Sequence, residues 1–122
     1  MATVFTDAGK AITTNRLKGT GTEPNYVGWG TGAGTAAAAD TTLFTEAAET
    51  RVAGTSTRVT TTVTNDTYQV VGTLTASGAK TITNVGLLDA VTSGGLFMKA
   101  DFTGVALADQ DAIQFTMKVK YA

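Results

Sequence analysis

The sequence predicts an all-β protein, an antiparallel β-sandwich with one short N-terminal helix. Threonine occupies 26 of the 122 positions and glycine 14; β-branched residues favour half-solvated strands, and glycine favours the turns between them. Apolar and polar residues alternate over the last strand and over the hairpin before it, as in strands with one buried face. From Arg51 onward, short strand-like segments follow one another at the spacing typical of a sandwich.

Residues 1–24 are predicted to form an arm and a short helix that runs from Thr6 to Lys18. Thr6 can cap the helix, and Asp7 lies near the positive end of its dipole. Gly19 follows as a C-terminal stop. The predicted apolar stripe consists of Ala8, Ala11, Ile12 and Leu17.

Residues 25–122 are predicted to form the sandwich, so that the chain is a single domain. Tyr26–Gly30 is a short aromatic strand. The small residues of 31–40 predict a flexible segment, either a surface loop or a stretch that orders only against a partner. One helical turn is expected within residues 40–48, with its apolar side chains pointing inward.

Two hairpins are predicted in the second half of the chain. The first turns at Asn65-Asp66 and the second at a segment that ends in Ser93-Gly94-Gly95, where glycine can take the positive φ of a tight connection. A further turn falls at Ser77-Gly78. The predicted strands are 58–64, 68–75, 81–88, 96–102 and 112–121.

The last strand has the clearest alternation in the chain. Phe115, Met117 and Val119 are predicted to be buried, and Lys118 and Lys120 to be exposed on the opposite face. We interpret the two lysines as protection of a strand edge and an aid to solubility. A nucleic-acid partner is not expected, because the net charge is −1 and the charges are scattered.

Composition also limits the chemistry of the protein. Without histidine and cysteine, catalytic triads and zinc sites built on thiolate or imidazole are impossible. The glycine-rich run 28–35 lacks the Gly-Lys-Ser/Thr ending of a phosphate loop, and Asp109 and Asp111 are best explained by a turn. We therefore expect no enzyme activity, no cofactor and no metal.

No targeting or membrane segment is visible in the sequence. The N-terminal residues lack a basic region followed by an apolar core, and no apolar run approaches the roughly 20 residues of a membrane span. We therefore expect a protein that is made and used without export and has no membrane partner. Tyr26 and Trp29 leave one ligand hypothesis open, a sugar-stacking platform, although a lone tryptophan more often lies in the core.

Three short motifs occur in a familiar order: a Thr-Asp-Ala-Gly-Lys helix start at residue 6, Tyr-Val-Gly-Trp-Gly-Thr-Gly at residue 26, and the hairpin of residues 82–97. This order resembles small structural proteins of tailed bacteriophages. Two groups share it, the head decoration (cement) proteins and the amino-terminal domains of tail-fibre or baseplate proteins. Because the chain stops at Ala122, directly after the β-domain, we favour a decoration protein.

The resemblance implies a β-sandwich, with a jelly roll as one form of it, that is made in the host cytoplasm and lies on the exterior of the virion capsid. The implied partner is the major capsid protein, and the implied assembly is a homodimer or homotrimer. The residues expected at the interface are Val4, Phe5, Tyr26, Trp29, Thr31 and Thr35. The alternatives are a small tail-fibre or baseplate component, and a carbohydrate-binding adhesion module for which Trp29 would have to be exposed.

Overall fold

The computed structural model describes residues 1–121 and confirms an all-β antiparallel sandwich with one N-terminal helix in that range. The elements are β1 (Thr3–Phe5), α1 (Asp7–Lys18), β2 (Tyr26–Gly30), β3 (Val52–Ala53), β4 (Thr55–Val59), β5 (Thr67–Thr75), β6 (Lys80–Leu88), β7 (Leu96–Leu107) and β8 (Ala112–Lys120).

The strands form two sheets. Sheet A has the order β1-β7-β6-β2-β3 and sheet B the order β4-β5-β8. The β6–β7 hairpin lies in sheet A, whereas the strands on either side of it in sequence, β5 and β8, pair with each other in sheet B. The chain therefore crosses from sheet B to sheet A and back again around this hairpin.

Helix α1 begins and ends where the sequence predicts. The Thr6 hydroxyl accepts a hydrogen bond from the backbone N–H of Gly9 at 2.9 Å, and Gly19 ends the helix in the left-handed conformation. The predicted stripe is wrong at Ala11 and at Leu17, which are both exposed, Leu17 to 85%. The reason is a narrow contact with β7, where a Cβ at Gly9 would lie 2.2 Å from the carbonyl oxygen of Phe97.

The helical turn predicted within residues 40–48 is wrong. Residues 31–51 run without a helix across the outer face of sheet A. The backbone of residues 44–47 bonds to the end of β2 and to the residues that follow it: the N–H of Gly32 donates to Phe44 O at 3.0 Å, and that of Ala47 to Trp29 O at 2.9 Å. Leu43 is buried in a small second cluster with Leu88 and Leu96. The flexibility predicted for 31–40 stays a prediction.

The first predicted hairpin is confirmed, but its first strand is displaced. Strand β4 pairs with β5 from Thr55 to Val59, and residues 60–66 form turns. The cause is Asp66, whose carboxylate accepts hydrogen bonds from the N–H groups of residues 61, 62 and 63. Two further differences are β1, which the sequence leaves within the arm, and the length of β7, which continues to Leu107.

The main core lies between the sheets, around Trp29, Phe97 and the apolar positions of β5 and β6. In β8 the predicted faces are confirmed at Met117 and Val119, which are buried, and at the two exposed lysines. Phe115 is only half-buried, because β8 is the edge strand of sheet B. Its ring packs edge-on against Trp29 at 6.4 Å between centroids.

Candidate partner-binding surface

The outer face of sheet A combines glycines with three polar side chains. The face consists of Gly28, Gly30, Asn84, Gly86, Lys99 and Asp101. Side chains alternate between the two faces of a strand. These residues therefore lie on the outer face because the residues between them on β6 and β7 point into the core. A sheet face of this kind lets another backbone approach closely and offers it hydrogen-bond partners.

The glycines make room for the 31–51 connection. A Cβ at Gly30 would lie 2.3 Å from the carbonyl oxygen of Phe44, and one at Gly86 would lie 2.6 Å from the side chain of Leu43. A Cβ at Gly34 would lie 2.6 Å from the Phe44 ring. The glycine-rich run therefore serves close packing, and its period-two spacing is the sequence signal that points to one strand face.

Asn84 holds the connection as a neighbouring strand would. Its Oδ1 accepts from the N–H of Phe44 at 3.0 Å, and its Nδ2 donates to the carbonyl oxygen of Phe44, also at 3.0 Å. The side chain is fully buried. Both of its polar atoms are therefore satisfied, as a buried amide requires.

Lys99 is a second, charged anchor, and it is fully buried. Its ammonium group donates to Asp40 Oδ2 at 3.0 Å and to the carbonyl oxygen of Thr42 at 2.8 Å. It also lies 3.2 Å from the centroid of the Phe44 ring, in a cation–π contact. The pKa of Asp40 is lowered, first by the N–H of Ala37 and then by Lys99, against the opposing effect of burial.

Asp101 joins the connection to the N-terminal arm. One carboxylate oxygen accepts from the N–H of Ala36 at 2.6 Å and the other from the N–H of Ala2 at 3.3 Å. A third link lies beside it, from the N–H of Asp7 to the carbonyl oxygen of Ala38 at 2.8 Å. The two segments predicted to meet a partner are thus fixed side by side. We call residues 1–5 and 31–42 the arm–loop surface.

Few charges lie on the arm–loop surface. Asp40, half-buried, is the only charged side chain of residues 31–42. The exposed residues of that segment are Thr31, Ala33, Gly34, Thr35, Ala37, Ala38, Ala39, Thr41 and Thr42. Small uncharged side chains allow a close approach by another protein, and little polar surface has to be desolvated when they are covered.

The predicted interface residues divide into three groups. Thr31 and Thr35 are exposed, and Val4 pairs with Lys99 and so shares the outer face of sheet A. Phe5 faces the core and packs on the Phe97 ring at 5.1 Å between centroids. Neither Phe5 nor Trp29, the latter 1% exposed, presents its ring to a partner. Half-buried Tyr26 lies at the opposite end of β2 from Thr31.

Glu49 fixes the far end of the connection. It accepts from the Trp29 indole N–H at 3.0 Å and from the N–H of Ser77 at 2.8 Å, and it forms a salt bridge with Lys80. Burial alone would raise its pKa, but the hydrogen bonds from Lys80, Ser77 and Trp29 outweigh it and hold the pKa at about 2. With the indole buried and bonded in this way, a sugar-stacking platform has no support.

Among residues 1–121, no three acidic side chains converge in a way that could hold a metal ion. Within the same range, no helix has the length and hydropathy needed to cross a membrane. No family model matches the chain, and neither does any curated protein or solved structure. What the protein binds is therefore inferred from its own residues.

Proposed function

We propose that the protein is a virion structural protein of the decoration (cement) type, which binds the major capsid protein lattice from outside. The observation that carries the proposal is the arm–loop surface, in which Lys99 and Asp101 tie two sequence-distant segments into one exposed and nearly uncharged face. The order of motifs in the sequence resembles that of phage structural proteins, and this resemblance points to the major capsid protein as the partner.

Anchoring of the loop favours binding because less ordering is left to the moment of docking. Residues 36, 40, 42 and 44 are each held by a buried or half-buried side chain of sheet A. The exposed residues between these points need only local adjustment. A modest interface is sufficient for a protein that stabilises a shell, since the symmetric lattice repeats the contact many times.

The proposal is tested with expanded empty shells of the major capsid protein of the same phage, by co-sedimentation of the purified protein. Thr35→Glu places a charge on the arm–loop surface at an exposed position. Thr73→Glu, on the exposed face of sheet B, is the matched control. We expect at least tenfold lower occupancy for Thr35→Glu and none of that loss for the control.

Equal binding by both variants, or loss of binding only in the control, would contradict the assignment of the surface. Location of the protein in a few copies at the tail would favour the tail-fibre or baseplate alternative. Shells that bind the protein but break at the same temperature with and without it would refute the stabilising role.

A further inference from the structure

A concave surface lies beside the C-terminal half of α1, and none of its lining residues belongs to the arm–loop surface. The cavity measures about 420 Å³ and has mainly apolar walls, which include the buried side chains of Ile12 and Phe97 and half-buried Tyr68. Leu17 is ten residues from Asp7 along α1, which corresponds to roughly 15 Å. We call this cavity the end pocket.

Two large apolar side chains of the end pocket face solvent. Leu17 is 85% exposed and Tyr121 is 45% exposed. Exposed apolar residues scattered singly need no explanation, but here two of them adjoin an apolar hollow, which is the pattern of an interaction site. The end pocket and an exposed side chain that could fill such a pocket, Leu17, therefore lie on the same small patch.

Opposite charges stand on the walls of the same pocket, Arg16 from α1 and Glu23 from the following loop. Arg16 donates to the carbonyl oxygen of Gly21, and Glu23 accepts from the hydroxyl of Ser56. The salt bridges formed within residues 1–121 do not join Arg16 to Glu23. A patch with a protrusion, a hollow and both charge signs is complementary to itself under a two-fold axis.

We propose that a second copy of this chain occupies the end pocket, in an isologous dimer. Leu17 of each copy enters the end pocket of the other, and Arg16 of each copy faces Glu23 of the second copy. The residues that line the end pocket do not include any of the arm–loop surface, so both surfaces can be occupied in this dimer. The inference gives the proposed capsid protein a defined oligomeric state, but it rests on different residues and is tested separately.

Sedimentation equilibrium of the full chain measures the dimer directly. We expect a concentration-dependent dimer for the wild type, and Leu17→Asp should weaken dimerisation by at least about a hundredfold, because each dimer loses two buried leucines. Val91→Asp, a change at a 43% exposed valine outside the end pocket, is the control and should leave dimerisation unchanged. Circular dichroism verifies that both variants fold.

Charge exchange tests the orientation of the two copies. Arg16→Glu and Glu23→Arg should each weaken the dimer at least tenfold, and the double variant should recover most of that loss. A wild type that stays monomeric up to about 1 mM, or a dimer indifferent to Leu17→Asp, overturns the proposal. Monomeric Leu17→Asp should still bind shells, so failure of the dimer and failure of the capsid role are distinguishable.

Discussion

The Lys99–Asp40 anchor makes a quantitative prediction because its two members differ in their access to water. The Lys99 side chain is 1% exposed, whereas that of Asp40 is 24% exposed. In Asp40→Ala the buried Lys99 ammonium keeps only the Thr42 carbonyl oxygen and the Phe44 ring as partners. Removal of one member of a buried ion pair costs about 3–5 kcal/mol. Lys99→Met keeps an apolar stem of similar length and leaves a carboxylate that water can reach, so we expect a cost of about 1–2 kcal/mol.

The double variant Asp40→Ala/Lys99→Met distinguishes this reasoning from a simple sum of contacts. It should be about 2 kcal/mol more stable than Asp40→Ala alone, because the stranded charge is gone. Urea unfolding, followed by the fluorescence of buried Trp29, gives the four free energies of unfolding. If Lys99→Met costs as much as Asp40→Ala, or if the two losses add, the assignment of Lys99 as a buried paired charge is wrong.

Three further outcomes are expected. Ionised Glu49 should contribute on the order of 3 kcal/mol to the free energy of unfolding above pH 5, and this contribution should be lost as the pH falls toward its folded pKa of about 2. In urea unfolding, the stability of Glu49→Gln should therefore fall less between pH 5 and pH 2 than that of the wild type. Gly30→Ala should cost about 1–3 kcal/mol of stability because its Cβ would meet backbone. In the control, Gly28→Ala, the Cβ would meet only side chains at 3.2 Å or more. Equal melting temperatures for the two variants would refute this prediction. In β8, Met117→Ala should cost about 2–5 kcal/mol and Lys118→Ala under about 0.5 kcal/mol; equal costs in chemical denaturation would mean that the buried face is misassigned.

Most of the strand pattern was predictable because it depends on neighbours in sequence. Alternation identifies the core face of β8 and, from Met98 onward, that of β7, and the residues around Thr6 and Gly19 mark both ends of α1. It fails at Leu96, which a register shift beside Leu88 places in the second cluster with Leu43. Local chemistry also explains the displaced hairpin, because Asp66 follows a run of N–H groups that its carboxylate can cap. An aspartate at the end of residues 60–66 is a turn signal, but the β-branched residues before it favour a strand prediction.

The covered face of sheet A was not predictable from periodicity. Lys99 occupies a position that alternation assigns to solvent, and the segment that buries it is about 60 residues away in sequence. Long-range contacts also explain why residues 40–48 form no helical turn, since the backbone of residues 44–47 bonds to the end of β2 and to the residues that follow it. The sequence placed the N-terminal arm and the loop among candidate interface segments, but only the tertiary structure joins them through Asp101.

Electron cryo-microscopy of expanded shells decorated with the purified protein is the direct test of whether it binds the capsid lattice through the arm–loop surface. We expect density on the outside of the capsid lattice, in many symmetry-related copies, with residues 1–5 and 31–42 against the major capsid protein. Density that contacts the lattice through the outer face of sheet B, or shells that remain bare at saturating protein concentration, would contradict it.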